Sequence, residues 1–225
     1  RFVGHFHGWQ DYAAFGVGSH HDGSPTPGVL KELAESVLLV PPGDIGTLRE
    51  VFASRDDVAG VILEPTGASW GRVPLAPSFL SELREATAEA GVVLIFDEVI
   101  TGFRCGPGGA QGEFGILPDL TTLAKILAGG FPGGAVCGRE EILAQLDFEA
   151  ADGSGREKIA HQGTYNANPI SAAAGVAALE IVATTDACQR ASAYAARLRD
   201  GLRKVLTDEH VDWTVYGTFS GFHIR

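Results

Sequence analysis

Hydrophobic positions recur with two different periods in the middle of the chain, and each period predicts a different element. Residues 92–96 are five apolar residues in a row, and residues 58–63 form a second short apolar run. Short β-branched runs of this kind are typical of strands buried on both faces of a parallel sheet. Between them, residues 78–90 place apolar side chains at helical spacing, and Gly91 favours the end of that helix. Strand, helix and strand in this order predict a βαβ unit.

The same patterns predict elements towards both ends of the chain. The further predicted strands are 1–7, 36–40, 118–125 and 133–138, followed by a strand pair at 213–216 and 219–224. The further predicted helices are 45–54, 139–146, 168–182 and 186–206, and the predicted loops are 17–27, 100–115 and 147–158. Strands that alternate with helices place the chain in the α/β class, with a mostly parallel central sheet and flanking helices.

Acidic residues follow two of the predicted strands directly. Asp97 and Glu98 come after the run 92–96, and Glu64 comes after the run 58–63, just before Pro65. Ligands bind at the carboxyl ends of the strands in open α/β sheets. We therefore expect Asp97 and Glu98 to contact a ligand rather than to pack, with Glu64 near Asp97 at the same edge.

One lysine stands apart from the other three. Lys125 lies among apolar and glycine-rich residues, whereas Lys31, Lys158 and Lys204 lie in polar surroundings. A lysine amine that is kept from water can attack a carbonyl group. A Schiff-base lysine and an acidic partner for a pyridine nitrogen are the two protein groups that a pyridoxal phosphate (PLP) enzyme needs. Lys125 and Asp97 are thus predicted to be the catalytic pair of a PLP site.

Composition narrows the classes of partner and compartment. The 225 residues include 45% hydrophobic and 20% charged side chains, and the formal net charge is −11. An acidic chain of this kind argues against nucleic acid and against an anionic membrane surface as partners. The sequence has no apolar run long enough to span a bilayer. Cys105, Cys137 and Cys188 form no CxxC motif, so we expect free thiols in a reducing, cytoplasmic compartment.

Four motifs follow one another in a specific order: VILEP at 61–65, LIFDEVITGFR at 94–104, PDLTTLAK at 118–125 and GTYNANP at 163–169. Together they resemble the class III PLP-dependent aminotransferases of fold type I, and most closely the glutamate-1-semialdehyde 2,1-aminomutase branch. The resemblance implies a PLP-binding large domain at 1–184, then a linker helix and the start of a small α+β domain at 185–225. The chain has no Met and starts and ends on strand-like residues, so we expect a fragment of a longer polypeptide.

The resemblance also implies further site residues and partners. It implies PLP as cofactor, a small amino or keto substrate, and a homodimer with a shared active site. Phe6 would stack on the cofactor ring, although tyrosine is common at this position, and Val99 would pack on the other ring face. The remaining implied cofactor-binding residues are His7, beside Phe6 in the motif; Glu64, which supports the site; and Gly163 and Thr164, which bind the cofactor phosphate of the neighbouring subunit.

The motifs leave two reactions open within the family. Residues 110–111 and 129–133 resemble the aminomutase branch, in which the amino group moves along one carbon skeleton. Residues 163–169 are also common in transaminases of this class, which need an external keto acceptor. The sequence itself does not identify the substrate.

Three readings outside the family remain. His5 and His7 would share a strand face, and His20 and His21 are nearby in the sequence, so a metal site is one alternative. No recognisable ligand spacing supports it. An apolar strand that ends in Asp-Glu also occurs in Walker-B-type ATPases, but these residues contain no Gly-Lys-Ser/Thr loop. Finally, the chain could be a non-catalytic remnant, because the family's first phosphate-binding loop would lie before Arg1.

Overall fold

The computed structural model describes residues 1–76, 78–147, 149, 155 and 157–225. The described helices are α1 (Ile45–Ser54), α2 (Ala68–Gly71), α3 (Phe79–Ala90), α4 (Gly109–Phe114), α5 (Glu140–Leu143), α6 (Pro169–Thr184) and α7 (Ala187–Asp208). The strands are β1 (Gly60–Leu63), β2 (Val73–Pro74), β3 (Val93–Asp97), β4 (Leu120–Leu123), β5 (Ala135–Gly138), β6 (Val215–Tyr216) and β7 (His223–Ile224). Short 3₁₀ helices cover Asp11–Ala13, Lys31–Ser36, Lys125–Ala128 and Ala144–Leu146.

The main sheet has the strand order β1-β3-β4-β5. β1 pairs in parallel with β3, and β3 pairs in parallel with β4, whereas β5 runs antiparallel to β4. The helix α3 connects β1 to β3 and gives the predicted βαβ unit. The α/β class and the mostly parallel sheet are therefore confirmed.

The helices α1 and α3 bury one face of this sheet. Asp44 begins α1 by accepting a hydrogen bond from the Thr47 backbone N–H at 2.9 Å, and Gly91 ends α3 in a left-handed conformation with φ of 67°. Successive strand residues point to opposite faces, so one set of side chains from β1 and β3 meets the two helices. This core contains Phe2, Val40, Leu48, Val61, Leu63, Phe79, Leu80, Leu83, Val92, Leu94 and Phe96.

A buried carboxylate ties the start of β4 to its neighbours. Asp119 accepts hydrogen bonds from the Leu94 backbone N–H at 2.8 Å, from Arg84 at 2.9 Å and from Arg139 at 3.1 Å. Burial raises the pKa of Asp119, but the hydrogen bonds from Leu94, Arg84 and Arg139 more than offset it, and the pKa is lowered overall. Asp119 thereby links α3, β3 and the residue that follows β5.

Two of the predicted strands do not form. Residues 1–7 make a single parallel bridge, between Phe2 and Val40, and then turn at Gly4, which has φ of 84°. The His5 backbone N–H donates back to the Phe2 carbonyl at 3.3 Å, so a strand cannot continue. The predicted strand 36–40 starts in the 3₁₀ helix Lys31–Ser36 and pairs only at Val40. Neither apolar segment has a partner strand along its length. A strand needs this pairing, and β propensity alone does not provide it.

The predicted loop at 100–115 is wrong in its second half. Residues 109–114 form α4, which ends at Gly115 with φ of 66°. The helix forms because the buried carboxylate of Glu98 accepts hydrogen bonds from its first backbone N–H groups, a long-range contact that periodicity does not reveal. The predicted loop at 147–158 lies largely outside the described residues.

The C-terminal elements follow the sequence prediction closely. Asn168 begins α6 by accepting from the backbone N–H groups of Ile170 and Ser171, and β6 and β7 pair antiparallel. The β6–β7 hairpin packs on the turn at α2: a Cβ atom at Gly221 would lie 2.0 Å from the Trp70 ring, so only glycine fits there. The division into domains at residues 184 and 185 stays a prediction.

Among the described residues, no single helix is long and apolar enough to cross a bilayer. The pair α6 and α7 meets the criteria of length and composition together, but the two helices are bent by 76° relative to each other.

We expect Asp119→Asn to lower the free energy of unfolding by about 2 kcal/mol at pH 7, because Arg84 and the Leu94 N–H lose a buried charged acceptor. Urea unfolding measures the change. Since the folded-state pKa is lowered, this stabilisation is present above the unfolded pKa near 3.8 and is lost as the pH falls through the folded pKa. The control Asp57→Asn breaks an exposed pair with Arg55 and should change stability by less than about 0.5 kcal/mol. Equal losses in both variants would contradict the assignment.

Candidate functional site

Three residues with ionisable side chains follow or end the parallel strands at their carboxyl edge. Glu64 follows β1, Asp97 ends β3, and Lys125 follows β4 by two residues. Asp97 is in register with Thr122 of β4, and Leu63 is in register with Phe96. Because all three strands point the same way, their carboxyl ends lie side by side, as the sequence predicted.

Asp97 is buried and directly bonded to a histidine. Its side chain is 8% exposed, and its Oδ2 atom lies 2.7 Å from Nδ1 of His7, whose side chain is 5% exposed. The other carboxylate oxygen accepts a hydrogen bond from the Val99 backbone N–H at 3.1 Å. These two bonds fix the orientation of the carboxylate and leave it further acceptor capacity.

Glu64 is a buried structural acceptor rather than a solvated strand end. Its carboxylate accepts hydrogen bonds from the backbone N–H groups of Phe6 at 2.9 Å, Ser69 at 3.1 Å and Trp70 at 3.0 Å. Ser69 and Trp70 both adopt left-handed conformations, with φ of 51° and 57°. Such conformations are costly for residues other than glycine. The hydrogen bonds to the carboxylate therefore stabilise a strained turn. Glu64 and Asp97 hold the adjacent residues Phe6 and His7, which places the two acids near each other.

Glu98 does not face a ligand, and the expectation that it would is wrong. The residue is 1% exposed, and its carboxylate accepts from the Thr101 hydroxyl, from the Gln111 side chain and from the backbone N–H groups of Ala110 and Gln111. A buried carboxylate with four donors is satisfied entirely within the protein. Glu98 anchors α4 to the end of β3.

Lys125 occupies an unusual backbone conformation. It has φ of 51° and begins the 3₁₀ helix Lys125–Ala128, directly after the extended residue Ala124. A left-handed lysine is uncommon and is often found at functional sites. The side chain is exposed in this structure, so the expectation that it would be kept from water is not met by the described residues.

The other predicted site residues divide into two groups. Phe6 lies beside Glu64 and is 57% exposed, and Val99 is half-buried beside Asp97. Gly163 and Thr164 are exposed on the loop that precedes α6. Among the described residues, no hydrogen bond joins this loop to the group around Asp97. Hydrogen bonds therefore connect Phe6 to Glu64, and His7 and Val99 to Asp97, but not the 163–164 loop to either acid.

Two neighbours of this group are absent from the predicted site. His5 is fully buried, and its Nδ1 atom accepts a hydrogen bond from the Glu64 backbone N–H at 2.9 Å. The guanidinium of Arg104 lies 5.0 Å from the centre of the Trp70 ring and donates to Ser220 at 3.2 Å. Their spacing in the sequence carries no signal, since these contacts span 59 to 116 residues. Within the described residues, no group of three or more His, Cys, Asp or Glu side chains could hold a metal ion.

Comparison with known proteins identifies similar sequences. The sequence profile of the family described as "Aminotransferase class-III" matches residues 43–224. The glutamate-1-semialdehyde 2,1-aminomutase of Pyrobaculum aerophilum is 44% identical over 209 residues, which are 91% of this chain and 48% of that protein. The chain spans about half the length of the curated relatives it matches.

Two solved structures of related enzymes are similar to this chain in fold. An omega-transaminase from Sphaerobacter thermophilus has a TM-score of 0.86 and 38% identity, over 100% of this chain and 52% of that one. A variant of a glutamate-1-semialdehyde aminomutase from Pseudomonas aeruginosa PAO1, solved in complex with PMP, has a TM-score of 0.78 and 30% identity, over 99% of this chain and 50% of that one.

Proposed function

Because this chain belongs to the class-III aminotransferase family, we propose that it carries out amino-group transfer with PLP, in the manner of a glutamate-1-semialdehyde 2,1-aminomutase. One observation carries the proposal: a buried carboxylate held by histidine and a lysine in a left-handed conformation stand at the same edge of a parallel sheet. An acid and an amine in this arrangement suit a pyridine nitrogen and an aldehyde.

The residues present fit the cofactor. Asp97 retains acceptor capacity after its bonds to His7 and Val99, and the exposed amine of Lys125 is accessible to an aldehyde. When bound, PLP supplies a protonated pyridine ring that withdraws electrons from the carbon next to the substrate nitrogen. Asp97 would hold the proton at the pyridine nitrogen, and Phe6 and Val99 would cover the two ring faces.

The chain's own groups have distinct roles in this reaction. Lys125 would bind the cofactor covalently and, once a substrate amine has displaced it, would act as general base and general acid that moves the proton between carbon atoms. His7 would orient Asp97. Glu64 would position Phe6 through the Phe6 backbone N–H and would hold the turn at Ser69 and Trp70 in place.

We expect Lys125→Ala to abolish covalent attachment of PLP, since no other lysine lies at this sheet edge. Borohydride reduction of the PLP-treated chain, followed by peptide mapping with mass spectrometry, should find the label on Lys125 in the parent chain and none in the variant. Lys204→Ala is the matched control, because Lys204 is exposed on α7 and should leave the label on Lys125. A label spread over the other lysines, or retained in Lys125→Ala, would refute the proposed site.

A transaminase is the second candidate, and the 38% identity to an omega-transaminase over the whole chain favours it. An aminomutase returns the nitrogen to the same carbon skeleton, whereas a transaminase passes it to a separate keto acid. If the first proposal holds, ¹⁵N-labelled amino donors incubated with the PLP-loaded chain and with pyruvate or 2-oxoglutarate should yield no labelled alanine or glutamate. Transfer to either acceptor would overturn the aminomutase assignment and retain the PLP chemistry.

We further propose that the active form is a homodimer in which Gly163 and Thr164 bind the cofactor phosphate of the partner. Two features support this: the 163–164 loop is exposed and makes no described hydrogen bond to Asp97, and the adjoining α6 exposes Ile170, Val176 and Ile181 by 56% or more. We expect sedimentation equilibrium of the PLP-loaded chain to give twice the mass of 23.6 kDa. A monomer with tightly bound PLP would contradict the shared site.

The proposed compartment is the cytoplasm. Cys105, Cys137 and Cys188 are all free thiols in the structure, and two of them are buried. Free thiols of this kind suit a reducing compartment.

A further inference from the structure

Two histidines, His5 and His7, form a buried pair behind Asp97. His5 is fully buried, the His7 side chain is 5% exposed, and the ring centres are 6.2 Å apart. Each ring uses only its Nδ1 atom for a hydrogen bond to protein. Both Nε2 atoms are buried without a partner among the described residues. Buried polar atoms are rarely left unsatisfied, so the pair requires an explanation.

The contacts of His5 decide which of its nitrogens carries the proton. Its Nδ1 atom faces the backbone N–H of Glu64, which can only donate, so Nδ1 accepts. Burial, followed by repulsion from His7 in its protonated form and from Arg1, lowers the pKa of His5 to about 3, and Asp97 only partly opposes this. His5 is therefore neutral at physiological pH, with its proton on Nε2.

The contacts of His7 place a proton on its Nδ1 atom, the nitrogen that carries none in His5. Its Nδ1 atom faces an oxygen of Asp97, which only accepts when ionised, so Nδ1 donates. In neutral His7 the Nε2 atom then carries a lone pair. One buried N–H group on His5 and one buried lone pair on His7 thus lie in adjacent rings, each without a protein partner.

We propose that His5 is a positioning residue, which holds His7 in the tautomer with the proton on Nδ1 through one water molecule bound between the two Nε2 atoms. The two nitrogens do not bond each other directly, since neither has a hydrogen-bond partner among the described residues. A water molecule accepts from an N–H group and donates to a lone pair, which is the combination present here. The result is a directional chain from the Glu64 N–H through His5, water and His7 to Asp97.

This chain opposes the alternative tautomer of His7. With the proton on Nε2, both rings would donate to the water molecule, and neither ring would accept a hydrogen bond from it in return. The Nδ1 atom of His7 would then present a lone pair to the carboxylate of Asp97, which is repulsive. His5 therefore secures His7 as a donor to Asp97, and so secures the orientation of the carboxylate. That this orientation affects a cofactor rests on the function proposed above.

The first test is ¹⁵N nuclear magnetic resonance of the histidine rings in the purified chain, because ¹⁵N shifts distinguish protonated from unprotonated ring nitrogens. We expect the proton on Nε2 in His5 and on Nδ1 in His7 at pH 7. A proton on Nδ1 of His5, or only on Nε2 of His7, would overturn the proposal. This result does not depend on PLP, so it separates the fate of this inference from that of the proposed function.

The second test uses variants of His5. His5→Phe removes both nitrogens and leaves Asp97 alone to oppose the tautomer with the proton on Nε2, so we expect a fraction of His7 to adopt that tautomer. PLP affinity, measured by absorbance titration, should fall about tenfold. His5→Gln keeps one acceptor for the Glu64 N–H and one donor towards His7, and should restore both readouts. His21→Phe, at an exposed position, should change neither. Unchanged ¹⁵N shifts of His7 in folded His5→Phe would overturn the proposal, and so would the lack of rescue by His5→Gln. If His5→Phe does not fold, the spectrum of the parent chain and the His5→Gln variant still test the proposal.

Discussion

Parallel pairing of β1, β3 and β4 is the constraint on which the rest of the structure depends. It brings residues 64, 97 and 125, which are far apart in the chain, to one edge of the sheet. Parallel strands require crossovers, and α3 both supplies the crossover from β1 to β3 and buries one face of the sheet. The hydrophobic core lies on that face and not at the carboxyl edge, so polar side chains can occupy the edge.

Buried acids form the second level of organisation. Glu64, Glu98 and Asp119 each accept at least three hydrogen bonds from donors that include backbone N–H groups. A buried carboxylate is stable only when its charge is satisfied in this way, so each acid fixes the segments that supply its donors. Glu64 fixes residues 6 and 69–70, Glu98 fixes α4, and Asp119 joins β3 to β4. Asp97 differs from these three because it accepts only two hydrogen bonds from the described part of the chain, one of them from a histidine.

That difference in hydrogen bonding separates a structural acid from a candidate site acid. Asp97 and Glu98 are adjacent, and both are buried, yet they point to opposite sides of the strand end and meet different partners. Glu98 is completed by the protein, whereas Asp97 keeps lone pairs at the sheet edge beside Lys125. The strained conformation of Lys125 fits the same interpretation, because strain of this kind is maintained where the position of a side chain matters.

The sequence alone determined the α/β class, the βαβ unit, α1, α3, α6 and the final hairpin, because each depends on local periodicity, capping residues and turn residues such as Asp44, Gly91 and Asn168. It also predicted that Asp97 and Lys125 lie at the carboxyl edge of the sheet, because a strand pattern locates its own carboxyl end. Tertiary structure decided the rest. Residues 1–7 lack a partner strand and turn at Gly4, α4 forms on a carboxylate from another element, Glu98 is used in packing, and Lys125 is exposed. The contacts of His5 and His7 with the two acids also belong here, since hydrogen bonds across 59 and 90 residues leave no periodic trace in a sequence.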